Sequence, residues 1–371
     1  MTKHGTAEQK IEVAINGRFL SAPPAATYAV AHHLSRALCD LVAQGAAGER
    51  IGRVSLFVPP ERRPTDNPLP IEPVGRSTGN LWEQTSLPWA ARGRLLLNLA
   101  ARSPLLLRNG LTMVHDAQVF TVPESYSPAF RETLKANIRL AGRLQRGLLT
   151  VSNFARMELA ALGVAPMERI HVIHNGVDHV LLTEPEDSVL MRHSLIRGRY
   201  LLALANTQPH KNIALLLKAF SRPELAGLTL VLAGRATRAD FAALGAGAPE
   251  HVVFVGFVSD GEMRSLQTHA MAVLTPSFTE GFGLPPVEAI FLGTPAVIAP
   301  CGALPEVCGP GALTASPNDP TAWAAAILRL ASETGLRSSL ANMGQIHVSR
   351  FTWAAAAKRL ASVISTTIRG Y

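Results

Sequence analysis

Residues 275–293 read TPSFTEGFGLPPVEAIFLG, a run whose residue types spell a strand end, a glycine-bearing loop and a helix. Thr275 closes the apolar run Ala272–Thr275. A helix is predicted to start at about Pro285, because the N–H that proline lacks would have no helical partner in the first turn anyway. The amides of Gly281, Phe282, Gly283 and Leu284 are then expected to head a helix N terminus, which suits an anion, and the two glycines let a phosphate approach the backbone. Glu280 precedes this loop and Glu288 lies one turn inside the helix. Two carboxylates flanking such a cradle can accept hydrogen bonds from sugar hydroxyls. A plain strand–turn–helix with a dipole-stabilising glutamate gives the same local pattern, so the surroundings must decide.

Outward from this stretch, short apolar runs alternate with helical stretches along the chain. Strands are predicted at Ile11–Ile15, Val54–Val58, Leu95–Leu99, Leu111–His115, Leu148–Ser152 and Ile170–Ile173. A second series is predicted at Tyr200–Ala205, Leu228–Ala233, Val252–Val255, Ala272–Thr275 and Ala296–Ile298. Such alternation predicts an α/β fold of parallel sheets with helices on both faces. Eleven strands fit two sheets better than one, so two Rossmann-like, doubly wound domains are expected, facing each other across a cleft. The charged, irregular segment Thr183–Arg199 is the expected linker between domains at 1–185 and 199–353, with the last helix, about 354–371, a candidate to pack back on the first. Ligands of open parallel sheets bind beyond the carboxyl ends of the strands, so functional residues should sit just after strands.

Composition narrows the possibilities. Hydrophobic residues make up 47% and charged residues 17% of the chain, which suits buried cores and not disorder. The three cysteines, Cys39, Cys301 and Cys308, form no C-x2-C pair, so neither a disulfide framework nor a structural zinc is expected. The leading residues MTKHGTAEQKIEVAING have no apolar h-region and no run of 18 apolar residues occurs, so a cytoplasmic protein is expected, peripheral at most on the inner face of the cytoplasmic membrane. Residues 1–180 hold 20 Lys/Arg against 14 Asp/Glu and the remainder 15 against 13. The first domain therefore carries most of the net charge of +8, which points to an anionic partner there. Aromatic residues are few, 6%, and do not alternate with the cations, which disfavours single-stranded nucleic acid. No G-x-G-x-x-G follows Ile11–Ile15, which removes a nicotinamide dehydrogenase.

The segment around Glu280 resembles the E-x7-E signature of family-4 retaining glycosyltransferases, two-domain enzymes of the GT-B fold. Other blocks resemble that family in the same order: SNFARMEL at Ser152–Leu159, VIHNGVD at Val172–Asp178 and ANTQPHKNIALLLKAF at Ala205–Phe220. VVFVGFVSDGEMRSL at Val252–Leu266 and LPEVCGPG at Leu304–Gly311 continue the series. The resemblance as a whole runs from about Val13 to Trp353. The resemblance implies an acceptor-side first domain and a nucleotide-sugar second domain. It implies that Glu280 meets donor-sugar hydroxyls, Glu288 the ribose, and the amides from Gly281 to Leu284 the distal phosphate. The base would be recognised by backbone near Phe257 and Val258. Lys211, a residue type that by itself usually solvates a surface, would neutralise the diphosphate. Relatives often add a cation from a Gly-Arg pair where this chain has Ala205-Asn206; Asn206 donates a hydrogen bond without charge. His115, in His115-Asp116 at a strand end, would position the sugar, while His174 and Asn175-Gly176 serve structure.

The first-strand loop departs from the family pattern. Residues 18–30, RFLSAPPAATYAV, have Ala26 and Ala29 where glycine and arginine are usual, so a loop needing positive φ would be strained. A catalytically silent GT-B subunit that binds a partner enzyme or glycan is the alternative this departure favours. On the predicted helix Pro128–Gln145, Arg131, Lys135, Arg139 and Arg143 recur at four-residue spacing, a pattern shared by solvated helix faces and by helices that dock on anionic lipid. No D-x-D occurs to hold a divalent ion, and the resemblance implies metal-independent transfer with retained configuration and no cofactor. The wording E-G-F-G-L-P-P-V-E-A and P-H-K-N is similar to bacterial mannosyltransferases of surface polysaccharide biosynthesis. It implies a hexose donor, with GDP-mannose ahead of UDP-sugars, and a glycan or lipid-linked acceptor.

Overall fold

The structure, a computed structural model, describes residues 10–21, 25–48, 50–61 and 69–367. Most of the leading segment, Ala22–Pro24 of the first-strand loop and residues 368–371, expected from the sequence in the last helix, lie outside the described residues. The chain forms two compact units, Met1–Gly176 with Trp353–Tyr371, and Val177–Thr352.

The first unit is built on β1 (Ile11–Asn16), β2 (Ile51–Val58), β3 (Ile71–Pro73), β4 (Leu95–Asn98), β5 (Gly110–Met113), β6 (Gly147–Thr150) and β7 (Ile170–Val172). All its pairings are parallel, in the order β3-β2-β1-β4-β5-β6-β7. Its connections carry α1 (Ala26–Ala43), α2 (Gly79–Gln84), α3 (Ser86–Ala90), α4 (Gln118–Thr121), α5 (Pro128–Leu144) and α6 (Asn153–Ala161). Leu95, Leu96 and Leu97 of β4 are buried, as expected of a strand covered on both faces. Ala26 and Ala29 lie in α1, and neither has positive φ. Alanine therefore imposes no strain at these two positions.

The second unit opens with α7 (Ser188–Arg192) and continues through β8 (Tyr200–Leu204), α8 (Ile213–Phe220), β9 (Thr229–Ala233), α9 (Arg238–Ala243), β10 (Val252–Gly256) and α10 (Asp260–His269). It ends with β11 (Ala272–Thr275), α11 (Leu284–Phe291), β12 (Ala296–Ile298), α12 (Leu304–Cys308), β13 (Ala312–Thr314), α13 (Pro320–Ser332) and α14 (Leu336–Val348). Its sheet is again parallel, ordered β10-β9-β8-β11-β12-β13. Helix starts follow local chemistry: Ser259 and Glu262 form a capping box on α10, and Asp319 caps α13 ahead of Pro320. The last helix, α15 (Trp353–Thr367), returns to the first unit and packs against α1. It buries Leu360, Val363 and Ile364, each worth about 1.5–3 kcal/mol when removed from water.

Two parallel sheets with helices were expected and are found. Two strands were not predicted, β3 and β13. Each is a three-residue edge strand with no fully buried position, so neither leaves an apolar run to read. The linker expected at Thr183–Arg199 is corrected: this segment belongs to the second unit, and the chain crosses between units at Gly176/Val177 and Thr352/Trp353. Val189 and Leu190 join an apolar cluster with Tyr200, Val231 and Leu266. Arg192 pairs with Glu262 at 2.7 Å, Ser188 donates to the same carboxylate at 2.8 Å, and Ser265 donates to Asp187 at 2.5 Å. The bonds to Glu262, from Arg192 first and then from Ser188 and the Ser259 amide, hold its carboxyl down to about 2. Charge and irregularity marked the segment as a linker; many of its charged residues are exposed, yet Ser188 and Arg192 are bonded to α10.

Candidate active site

In a doubly wound sheet, the loops after the two strands flanking the point where strand order reverses diverge and open a crevice. The second sheet reverses between β8 and β11, and each of these strands supplies one half of the candidate site. After β8, Pro209–Lys211 makes a short 3-10 turn and Asn212 takes a left-handed conformation at φ 56°. After β11 comes the loop carrying Glu280. The two loops are tied on either side of Lys211. The Phe278 amide donates to the His210 carbonyl at 2.8 Å, and the Asn212 side chain donates to the carbonyls of Pro276 and Pro317 at 3.1 and 2.8 Å. Between these ties the Lys211 ammonium donates to both oxygens of the Glu280 carboxylate at 2.9 Å. Ser277, buried, donates to Glu280 Oε1 at 2.8 Å. Both charges of the pair are partly screened from water.

The cradle differs in detail from the expectation. The helix begins one residue earlier than predicted, at Leu284, with Gly283 as its N-cap at φ 91°. Pro285 and Pro286 then occupy the second and third helical positions, so the first turn lacks two of its N–H groups. Gly283 and Leu284 are left as the donors at the helix head, with Gly281 and Phe282 buried in the preceding loop. Phe282 packs edge-on against Phe351 at 5.6 Å.

Glu288, one turn into α11, has both oxygens engaged. Gln267 of α10 donates to Oε2 at 3.0 Å, and His179 Nε2 lies 3.3 Å from Oε1. Asn206 forms a turn in which Oδ1 accepts the Gln208 amide at 2.8 Å. Val258 follows β10 and its side chain is in the core, so only its backbone is available to a ligand, while the neighbouring Phe257 ring is exposed beside the Arg235 guanidinium. The residues singled out in the second unit thus all follow carboxyl ends of one parallel sheet.

Ser277, Gln267, His179 and Gly302 were not anticipated. Gly302 adopts φ 62°, and a Cβ there would stand 2.5 Å from the Glu280 amide nitrogen. Gly302→Ala is expected to destabilise the protein by about 1–3 kcal/mol through left-handed strain and displacement of the Glu280 loop. A thermal melt checks this, and an unchanged melting temperature would show that the loop has room for the methyl.

His115 belongs to the first unit, whose strand order reverses between β1 and β4. A cavity of about 470 Å³ lies at that reversal, lined by Asn16, Arg18, Tyr28, Arg102, His115 and Tyr126 among others. His115 Nε2 is 3.0 Å from the Leu99 carbonyl. A carbonyl only accepts, so Nε2 carries the proton and Nδ1 is an acceptor. Burial pushes the imidazole pKa down to about 4, so the ring is neutral at neutral pH.

The wall of this cavity rests on a buried polar chain that was also not anticipated. Asn16 donates to Glu83 at 3.0 Å and to Asn98 at 3.2 Å; Asn98 donates to Thr112 at 3.3 Å. Thr112 donates to Gln145 at 2.7 Å, and Gln145 to Ser103 at 2.9 Å. Arg18 closes the chain against Glu83 at 2.5 Å. Polar residues ending otherwise apolar strands were the only signal in the sequence. The basic stripe of α5 is less free than its spacing implied. Arg131 and Lys135 both approach Glu132, at 2.7 and 3.6 Å. Lys135 and Arg139 lie over the Phe120 ring, at 5.9 and 5.3 Å, and Arg143 is exposed.

Two Rossmann-like sheets, the second with a cation and a carboxylate at its switch point, are the arrangement of the GT-B fold. A family model described as glycosyl transferases group 1 matches residues 194–347. O-antigen chain mannosyltransferase B of Escherichia coli is 31% identical over 261 residues, 67% of this chain and 68% of its own. O-antigen chain mannosyltransferase RfbU of Salmonella typhimurium is 30% identical over 230 residues, 60% of this chain and 61% of its own. Among solved structures, Anabaena Alr3699/HepE in complex with UDP-glucose shares the fold with a TM-score of 0.69 at 19% identity, covering 96% of this chain and 100% of that one. Sucrose-phosphate synthase from Thermosynechococcus elongatus does so with a TM-score of 0.69 at 16% identity, over 98% and 100%. The chain belongs to the group 1 glycosyltransferases. Among the described residues no helix is long and apolar enough to cross a membrane.

Proposed function

We propose that this glycosyltransferase moves a hexose from a nucleotide diphosphate sugar to a glycan or lipid-linked acceptor with retention of anomeric configuration, and that the donor is GDP-mannose. The observation that carries the reading is the Lys211–Glu280 pair, held by Ser277 at the switch point of the second sheet. A cation there can meet a diphosphate while a carboxylate beside it accepts sugar hydroxyls. The similarity to two O-antigen mannosyltransferases supports mannose, and the UDP-glucose bound by a protein of the same fold supports a nucleotide sugar.

In this reading Glu280 accepts from hydroxyls of the donor hexose and Glu288 from the ribose. Gln267 and His179 fix the Glu288 carboxylate in place. Lys211 and the amides of Gly283 and Leu284 meet the charge that develops on the leaving diphosphate. Preorganised donors of this kind commonly supply the largest share of an enzyme's rate gain. Asn206 adds a neutral hydrogen-bond donor, and the backbone at Val258 meets the base. No metal ion or cofactor enters this scheme. The bond between the anomeric carbon and the phosphate oxygen breaks. The acceptor hydroxyl oxygen bonds to that carbon on the same face, and its proton passes to the departing phosphate oxygen. In the first unit's cavity, neutral His115 offers Nδ1 to a sugar hydroxyl, and Arg18 and Arg102 suit an acceptor that carries phosphate.

A panel of nucleoside diphosphates in a thermal-shift assay tests the donor class. A ligand present at a hundred times its Kd stabilises by about 2.7 kcal/mol, several degrees for a chain of this size. GDP is expected to raise the melting temperature more than UDP. Stabilisation by UDP alone would replace mannose with another hexose, and a flat panel would remove the nucleotide-sugar reading.

A further inference from the structure

We propose that the crossover between β4 and β5, residues 99–109, is a docking tip for an anionic lipid bilayer, with Leu105 and Leu106 entering the lipid. The inference does not rest on the transfer reading. A crossover between parallel strands usually carries a helix that covers the sheet, and this one has none. Its apolar residues split in two directions. Pro104 is buried, and Leu107 packs against the cluster of Trp82, Leu87 and Leu96. Between these anchors Leu105 is 42% and Leu106 84% exposed.

The exposure is built into the fold. Asn137 of α5 holds both the amide and the carbonyl of Ser103, at 3.1 and 2.7 Å, and Gln84 of α2 accepts the Leu105 amide at 2.8 Å. The helices beside the tip add apolar surface. Leu81, three residues before Gln84 and so on the same face of α2, is 63% exposed, and Trp89 of α3 is 67% exposed. Soluble surfaces carry such residues singly; here they sit on elements bonded to one another.

Charge selects the occupant. From Gln84 to His115 the chain contains Arg92, Arg94, Arg102 and Arg108 and no acidic residue. Arg94 is engaged by Glu12 at 2.7 Å. Among the described residues no carboxylate pairs with Arg92, Arg102 or Arg108, and the Arg102 guanidinium lies 5.3 Å from the centre of the Phe130 ring at the cavity wall. A second copy docked by a two-fold axis would set these arginines against their own symmetry mates, which like charge opposes. A bilayer with acidic headgroups attracts the arginines and takes up the leucines. Arg102 lines the cavity and Leu105 follows three residues later, so docking would bring the cavity mouth to the headgroups.

The test is co-sedimentation of the full chain with vesicles of phosphatidylglycerol and phosphatidylcholine. The wild-type chain is expected to sediment with them and not with phosphatidylcholine alone. The double variant Leu105→Ser, Leu106→Ser is expected to lose at least about tenfold in vesicle affinity with an unchanged circular dichroism spectrum. Ile346→Ser, a control on an exposed side chain of the second unit, should leave binding intact. Should the double variant misfold, Leu106→Ser alone, the more exposed of the two side chains, is expected to show a several-fold loss. Failure of the wild-type chain to bind, wild-type binding by the serine variants, or a dimer in sedimentation velocity that the double variant breaks would each overturn the proposal.

Discussion

Glu280→Gln is expected to lower the kcat/KM of transfer by about 10²- to 10³-fold, the loss typical when one group aimed at a reacting centre is removed. The glutamine amide keeps the size of the side chain and can still accept from Ser277. It no longer matches the Lys211 ammonium, which donates to both carboxylate oxygens in the native protein, and it weakens acceptance from sugar hydroxyls. The fold should survive. Lys211 is partly exposed and can turn to water, so the cost of breaking the pair stays near the ~1 kcal/mol of a half-solvated ion pair. Initial rates of nucleoside diphosphate release, with circular dichroism alongside, check both parts. Near-native rates would refute the role assigned to Glu280.

Lys211→Met should be as damaging to turnover, about 10²- to 10³-fold in kcat, and more damaging to the protein. It strands Glu280, the less exposed partner, with only Ser277 among the described residues to satisfy it, and an underpartnered carboxylate of this burial costs about 1–3 kcal/mol. The melting temperature should therefore drop further than for Glu280→Gln, and nucleoside diphosphates should stabilise this variant least. The two side chains share one hydrogen-bonded unit, so the double variant should lose less than the product of the single losses. Multiplicative losses, or full nucleotide stabilisation of Lys211→Met, would separate the two residues and remove lysine from the diphosphate.

How much of this was legible follows from where the information lay. The run from β11 to α11 could be read because the apolar Ala272–Leu274, the glycines Gly281 and Gly283 and the paired Pro285 and Pro286 are each local signals. Even so, the effect of two successive prolines on the number of amides at the helix head emerged only once the first helical residue was placed. The strand order of either sheet was not readable, so the fact that Lys211 and Glu280 flank the same reversal came from the pairing of β8 with β11. Gln267 lies 21 residues before the glutamate it holds, on another helix, and nothing local marks it. The chain from Asn16 to Ser103 joins residues as far apart as 82 positions; each looked like an ordinary strand or helix end. The linker was misplaced because charge and irregularity were read as a break between units, whereas Ser188 and Arg192 bond to Glu262 within the second unit.

The return of α15 to α1 orders events during synthesis on the ribosome. Residues 177–352 form a contiguous unit and can complete their core as soon as they emerge. The unit begun earlier cannot, because the face of α1 that meets α15 has no cover until residues 353–367 have followed. The half translated first is therefore the half finished last, and its nascent form displays the face of α1 that α15 later covers to any chaperone that binds exposed apolar surface.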